Sequence, residues 1–407
     1  MDSCDIAAKA RVGRPTITAA GALIGASIVI GALAGRAAET PAKAPHLSVA
    51  AAFDETMQSW MAKYGVTRGS VAVMRNDRLA FAAGYGGRGP NERIAVWSMS
   101  KAITAVCIAV LVQDKKLSFD DPIGPLLAPV FAKFGKPTDE RLGRVTVAQL
   151  LTHRSGLPQN VGDNRFAPGM HQLLRQRPLS EATVDMLLSP IMKLTLAEEP
   201  DSKHVYSNVG YILLGQIIET STGKPYETAC GDRVLSKAGI KEPKLDQKWG
   251  RLLQSSAGWA LSGPEYLGFA RLLSPKQKGL LTQATHDWLR STDGKWTDDR
   301  HTTAYTLGVR VGLIPNAPPN IFHGGGWLWQ QDDAAGGAIS EKRGTWFVLH
   351  GGGIAWFASY EGVHSDTDPQ AVTELQDALW RAVRNVSSWP KHDEYPVNFV
   401  GPISAGP

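Results

Sequence analysis

Three cysteines in 407 residues are too few for a disulfide scaffold, and no Cys-x-x-Cys or His-Glu-x-x-His spacing offers a redox or metal centre. The ten histidines are scattered, so no metal and no cofactor is expected. Charge is also thin. Only 20% of residues are charged, the net charge is +5 and no block of Lys and Arg occurs, which leaves no footprint for nucleic acid. No Gly-x-Ser-x-Gly is present, which removes the nucleophile elbow of an α/β-hydrolase. One Gly-x-Gly-x-x-Gly string runs from Gly84 to Gly89. Pro90 follows it instead of a helix, so it reads as a loop and not a dinucleotide cradle. What the chain does have is a hydrophobic content of 43%, ordinary for a globular protein and ample for a core.

The N-terminus carries a targeting pattern. Lys9, Arg11 and Arg14 precede an uncharged stretch from Pro15 to Gly35, and Ala32-Leu33-Ala34 offers a small-x-small cleavage site. Residues 1–34 are therefore expected to be a signal peptide. The alternative is an uncleaved anchor, disfavoured because the stretch is rich in Gly and Ala and only weakly hydrophobic. Either way the remainder is expected outside the cytoplasm, periplasmic or secreted, with membrane contact only through this segment. Residues 35–48 read as a linker. A helix is expected over Val49–Tyr64, then a hairpin of Gly69–Met74 and Leu79–Ala82 turning at Asn76-Asp77. Ala102 to Gln113 contains no charged residue, which predicts a helix buried all round. Helical patterns and prolines dominate residues 114–260. Strand-like runs return at Leu307–Leu313, Gly337–Ser340 and Thr345–Leu349, and a helix at Gln370–Val383 closes the fold. The expected plan is a sheet domain (49–113 and 261–390) interrupted by a helical domain (114–260), with a tail at 391–407.

Three short stretches could carry chemistry. Ser98-Met99-Ser100-Lys101 heads the uncharged helix, and residues three apart share a helical face, so the lysine can reach the serine hydroxyl. A helix N-terminus favours developing negative charge, and apolar surroundings lower a lysine pKa toward that of a usable base. Taken alone, the same spacing describes a lysine snorkelling off a helix end. Tyr206-Ser207-Asn208 stands at the entrance to a second helix pattern. There a phenol can move a proton and an amide can orient a carbonyl, or Asn208 can simply cap the helix. His323-Gly324-Gly325-Gly326 could let a substrate pair with bare strand backbone and supply an oxyanion N–H. His350-Gly351-Gly352-Gly353 has the same form, so the string alone does not choose between them.

In order along the chain, these stretches stand with Lys116–Pro122, Leu150-Leu151-Thr152-His153-Arg154-Ser155-Gly156-Leu157, Ser256-Ala257-Gly258-Trp259 and Leu307-Gly308-Val309. The set resembles the serine β-lactamase and penicillin-binding-protein superfamily from about residue 50 to 385. The likeness is nearest to the class C β-lactamase-related branch, which also holds carboxylesterases and D-aminopeptidases. The resemblance implies an α/β (α+β) fold: a mainly antiparallel sheet flanked by helices, with an inserted all-α domain. It implies Ser98 as nucleophile, Lys101 as its base, Tyr206 as proton relay and Asn208 as a contact to the acyl chain. The N–H groups of Ser98 and Gly326 would hold the oxyanion, with His323, Gly324 and Gly325 on the substrate side and 152–157 a supporting loop. It also selects His323 over His350, since Val348-Leu349-His350 resembles the end of the neighbouring strand. The third motif departs from the Lys-Thr-Gly of β-lactamases and lacks its positive, hydroxyl-bearing surface. The segment from Trp327 to Asp333, aromatic and then acidic, reads either as a lip favouring a neutral or apolar group, with Trp327 on the substrate side, or as plain packing. The implied function is a serine hydrolase that cleaves a small-molecule ester or amide through an acyl-enzyme. A β-lactamase, a D-alanyl-D-alanine carboxypeptidase or a D-aminopeptidase is the alternative. From another class comes a catalytically inactive cell-wall or partner-binding relative.

Overall fold

A computed structural model describes residues 47–159, 178–277, 279–297, 299–314, 317–332 and 338–391. The expected signal peptide, nearly all of the linker and all but the first residue of the tail lie outside the described residues.

Helix α1 (Val49–Tyr64) forms over the expected span. The Ser48 side chain accepts from Ala51 N–H at its start, and Gly65 ends it at φ 65°. It buries Val49, Ala52, Phe53, Met57, Trp60 and Met61, one apolar stripe at helical spacing. The hairpin follows as β1 (Gly69–Arg75) and β2 (Arg78–Tyr85). Asn76 and Asp77 turn it at φ 49° and 63°, left-handed values that these two residue types tolerate. The string from Gly84 completes β2 and then turns at Gly86 and Gly87, so it is a loop as expected.

Seven strands form one antiparallel sheet. With β3 (Thr303–Tyr305), β4 (Arg310–Ile314), β5 (Ala317–Asp332), β6 (Ala338–His350) and β7 (Ile354–Glu361), the order is β2-β1-β7-β6-β5-β4-β3. Alternation along the strands feeds two cores. Val71, Val73, Trp356 and Ala358 pack on α1 and the C-terminal helix α6 (Pro369–Asn385). Ala72, Met74, Phe347 and Phe357 face the other way, into a core shared with the helical region. That core holds α2 (Ser100–Gln113), whose residues from Ser100 to Leu111 are all buried, and α3 (Asn208–Thr222), buried from Asn208 to Ile218. It also holds α4 (Gly250–Ala257, broken at Gln254) and α5 (Gly263–Ala270). A small sheet of Ile94–Ala95, Trp259–Leu261 and Lys244–Leu245 sets residue 259 beside the start of α2.

Two strand expectations change. Leu307–Leu313 is not one strand. Residues 306–309 form the turn between β3 and β4, with Gly308 at φ 69°, where a Cβ would stand 2.3 Å from the Lys101 carbonyl oxygen. That close approach, not a strand, is what Leu307-Gly308-Val309 encodes. Conversely, Gly337 lies outside the described residues, and the rest of Gly337–Ser340 is not separate from Thr345–Leu349: Ala338–His350 is continuous and pairs with β5 throughout. The polar run Glu341-Lys342-Arg343 conceals this continuity in the sequence.

Candidate active site

Ser98 occupies a single 3-10 turn, Trp97–Met99, that opens onto α2. The turn is held from several sides. Val96 N–H donates to Trp259 O (2.9 Å) and Trp259 N–H to Ser100 Oγ (3.0 Å). The Tyr266 hydroxyl donates to Met99 O (3.1 Å), and Thr345 Oγ1 to Val96 O (3.1 Å). Trp97 is kept at φ 49°, a conformation that costs a bulky residue about 1–3 kcal/mol and persists only when its surroundings fix it.

Lys101 is fully buried, and its Nζ lies 2.6 Å from Asn208 Oδ1, 2.8 Å from Ser256 O and 3.3 Å from Ser98 Oγ. Burial drives its pKa well below the ordinary lysine value. A neutral amine has two N–H groups, which the amide and carbonyl oxygens take, leaving the lone pair for Ser98. Asn208, expected to orient an acyl chain, lines the cleft but spends its Oδ1 on the lysine. Tyr206 is hydrogen-bonded to Ser98, and its ring centroid lies 4.9 Å from Lys101 Nζ. Burial pushes its phenol up to about 12 against the opposing pull of the Ser98 bond and Arg310.

The strand β5 closes the site. Its pairing with β4 stops at Phe322, so from His323 onward that edge has no partner in β4. The three glycines are needed by their neighbours. A Cβ at Gly324 would lie 2.6 Å from the Trp346 ring, at Gly325 2.4 Å from Val96 O and Thr345 Oγ1, and at Gly326 2.5 Å from His364 Nε2. His323 is buried, with Nδ1 2.5 Å from Gly324 O and Nε2 2.9 Å from the Tyr305 hydroxyl. Nδ1 therefore carries the proton and donates, while Nε2 accepts from Tyr305. Burial, then Arg310 and Lys101, hold its pKa well below the usual imidazole range, so it adds no positive charge. His350 sits at the far end of β6, paired with Asn320, away from Ser98.

The cleft has a volume of about 280 Å³ and brings together Ser98, Tyr206, Asn208, His323 and Gly324 to Gly326. Trp327 does not line it. Its indole is fully buried between Trp97 (centroids 5.0 Å apart, 13° between planes) and Trp249 (4.0 Å), because strand alternation turns it inward while Leu328 faces the cleft. Trp327 is thus corrected from a substrate contact to packing, while Leu328 keeps an apolar side chain on the cleft. The cleft wall also holds a residue that sequence reasoning missed, Arg310. No described carboxylate pairs with this guanidinium, and its Nε is buried without a hydrogen-bond partner among the described residues. Its signal was a lone charge inside the apolar run Leu307–Leu313. His364 was also missed. It receives the Asp366 N–H on Nδ1 (3.1 Å), which leaves Nε2–H beside Gly326. His153, from the 152–157 loop, accepts Ser207 N–H on Nδ1 (3.2 Å) and packs its ring 4.3 Å from that of Tyr206, so this loop positions the phenol.

The Beta-lactamase family model matches residues 52–368. Penicillin-binding protein 4* of Bacillus subtilis is 25% identical over 270 residues, covering 62% of this chain and 56% of its own length. The chain spans 36 to 56% of the length of several curated relatives that it matches. Among solved structures, a D-stereospecific amidohydrolase from Streptomyces sp. superposes with TM-score 0.61 at 21% identity, over 80% of this chain and 97% of that one. EstCE1, a hydrolase with promiscuous acyltransferase activity, does so with TM-score 0.63 at 17% identity, over 82% and 98%. At these identities the two structures bear on the fold alone.

Proposed function

Since this chain belongs to the beta-lactamase family, we propose that it is a serine hydrolase that transfers the acyl group of an ester or small amide to Ser98 and then to water. The observation that carries this reading is the fully buried Lys101 Nζ, 3.3 Å from Ser98 Oγ and bonded to Asn208 Oδ1 and Ser256 O; as a neutral amine it gives its two N–H groups to those oxygens and turns its lone pair to the Ser98 hydroxyl. Ser98 Oγ attacks the carbonyl carbon as its proton passes to Lys101 Nζ. The developing oxyanion rests on the N–H groups of Ser98 and Gly326, close to the positive end of α2. Tyr206 gives its proton to the departing oxygen or nitrogen as that bond to carbon breaks, and recovers one from the protonated lysine. Water then attacks the acyl ester, and Ser98 leaves with a proton. Every step draws only on side chains and backbone of this chain.

A fluorophosphonate tests the reading. Intact-mass measurement should show one adduct on the folded protein and none on Ser98→Ala. A folded protein that takes no adduct and turns over no nitrophenyl ester would favour the inactive, partner-binding relative.

Arg310 refines the substrate. An unpaired guanidinium in the cleft wall favours an acyl or leaving group that carries a carboxylate. A charged hydrogen bond of this kind is worth roughly 1.5–3 kcal/mol. Arg310→Gln should therefore lower kcat/KM by about 10- to 150-fold for an anionic ester or amide and leave a neutral ester within about threefold. Equal losses on both would remove Arg310 from recognition. This same cation keeps the alternative open, a D-amino-acid peptidase or β-lactamase. Rapid turnover of a chromogenic cephalosporin with inert esters would put that alternative first.

A further inference from the structure

Three tryptophans from three separated parts of the chain form one stack, and each borders a group the proposed reaction needs. Trp97 immediately precedes Ser98. Trp327 immediately follows Gly326. Trp249 precedes α4, the helix whose Ser256 carbonyl takes an N–H of Lys101. Trp97 and Trp327 lie nearly parallel at 5.0 Å, and Trp249 meets Trp327 at 4.0 Å with its ring tilted by 47°. All three are buried, with exposures of 2%, 0% and 5% for Trp97, Trp327 and Trp249. Between the strand and the turn there is no slack, since a Cβ at Gly325 would stand 3.1 Å from the Trp97 Cβ.

We propose that this stack is a positioning device that sets the separation of the two oxyanion donors, Ser98 N–H and Gly326 N–H, with Trp249 as its outer plate. The inference rests on the serine-hydrolase reading. Rigid rings suit the task because neither indole can slide along the other without losing contact, and aromatic pairs attract beyond their burial. The left-handed Trp97 aims its ring at β5, so pressure on Trp327 acts directly on the residue before the nucleophile. The outer plate is itself fixed. The backbone N–H of Trp249 donates to Asp246 Oδ1 (2.7 Å), Lys248 Nζ lies 5.5 Å from its ring, and the same Nζ pairs with Glu341 of β6 at 3.3 Å. A misplacement of about 1 Å at reacting groups costs on the order of 100-fold in rate.

Trp249 touches no reacting atom, so its variants separate positioning from plain packing. Trp249→Leu should slow fluorophosphonate labelling and ester kcat by about 10- to 100-fold and weaken an arylboronate, which mimics the tetrahedral state, by a similar factor. KM should stay within about threefold, as ground-state binding does not use the donor separation. Trp249→Phe keeps a smaller ring and should give an intermediate loss in the same readouts, and it decides the matter alone if Trp249→Leu does not fold. A variant of lowered Tm with wild-type kcat and boronate affinity would reduce the stack to core packing and overturn the proposal. A wild-type protein that neither labels nor binds boronate would instead overturn the hydrolase reading beneath it.

Discussion

Lys101→Met should remove turnover almost completely while the protein stays folded, lowering kcat/KM by roughly 10³- to 10⁶-fold, the scale on which nucleophile–base units fail. Methionine has nearly the length of lysine and suits a helix in which twelve consecutive residues, Ser100 to Leu111, are buried. What it lacks is the lone pair that takes the Ser98 proton and the two N–H groups that satisfy Asn208 Oδ1 and Ser256 O. Those two acceptors then stand unpaired, at a cost of about 1–3 kcal/mol each. Removing a buried amine offsets part of this, so a fall in Tm is expected without loss of the fold. Lys101→Arg should be no better than Lys101→Met, because a guanidinium keeps its proton at any working pH and cannot act as a base. Ester turnover with circular dichroism on the same samples checks the result. Retention of more than a tenth of the wild-type rate in Lys101→Met would remove the lysine from its role.

How much of this was legible in the residues depends on the range of the interaction. α1, the hairpin at Asn76-Asp77 and the uncharged α2 are local, set by periodicity, turn chemistry and the absence of any polar face. Ser98 and Lys101 were legible because one helical turn relates them. Trp327 was misread because aromatic character does not reveal which face of a strand a ring takes. That depends on the register of β5 against β6 and on two partners lying 78 residues upstream and 230 upstream, Trp249 and Trp97. Arg310 was missed for a similar reason. It declares itself only when β4 stops pairing at Phe322 and the guanidinium is left at the mouth of the cleft. The motif Ser256-Ala257-Gly258-Trp259 could be matched as a string. Its physical meaning, a carbonyl for Lys101 at Ser256 and backbone bonds from Trp259 to Val96 and Ser100, exists only in three dimensions.

Tyr206→Phe should separate the two proton transfers, because the phenol matters in proportion to how badly the leaving group needs a proton. An alkyl amide must receive one as its C–N bond breaks, so its kcat/KM should fall by about 10²- to 10⁴-fold, the range for a positioned general acid. A nitrophenolate departs unaided, and its ester should lose no more than roughly 10-fold. The pH profile gives an independent check. Below its folded pKa Lys101 is an ammonium, with all three N–H groups donating to Asn208, Ser256 and Ser98 and no lone pair, hence inactive. The rate should therefore rise with pH through a value well below 10.5 and stay level across the ordinary lysine range. Three nearby imidazoles do not supply that limb. His323 and His153 are pushed well below their usual value by burial, and His204 to about 4. Burial pushes the Tyr206 phenol up to about 12, so it brings no alkaline fall before then. Tyr206→Phe should keep the acid limb, since the lysine is untouched. Its disappearance, or equal losses on amide and nitrophenyl ester, would make the phenolate at 206 the first base and Lys101 its electrostatic support.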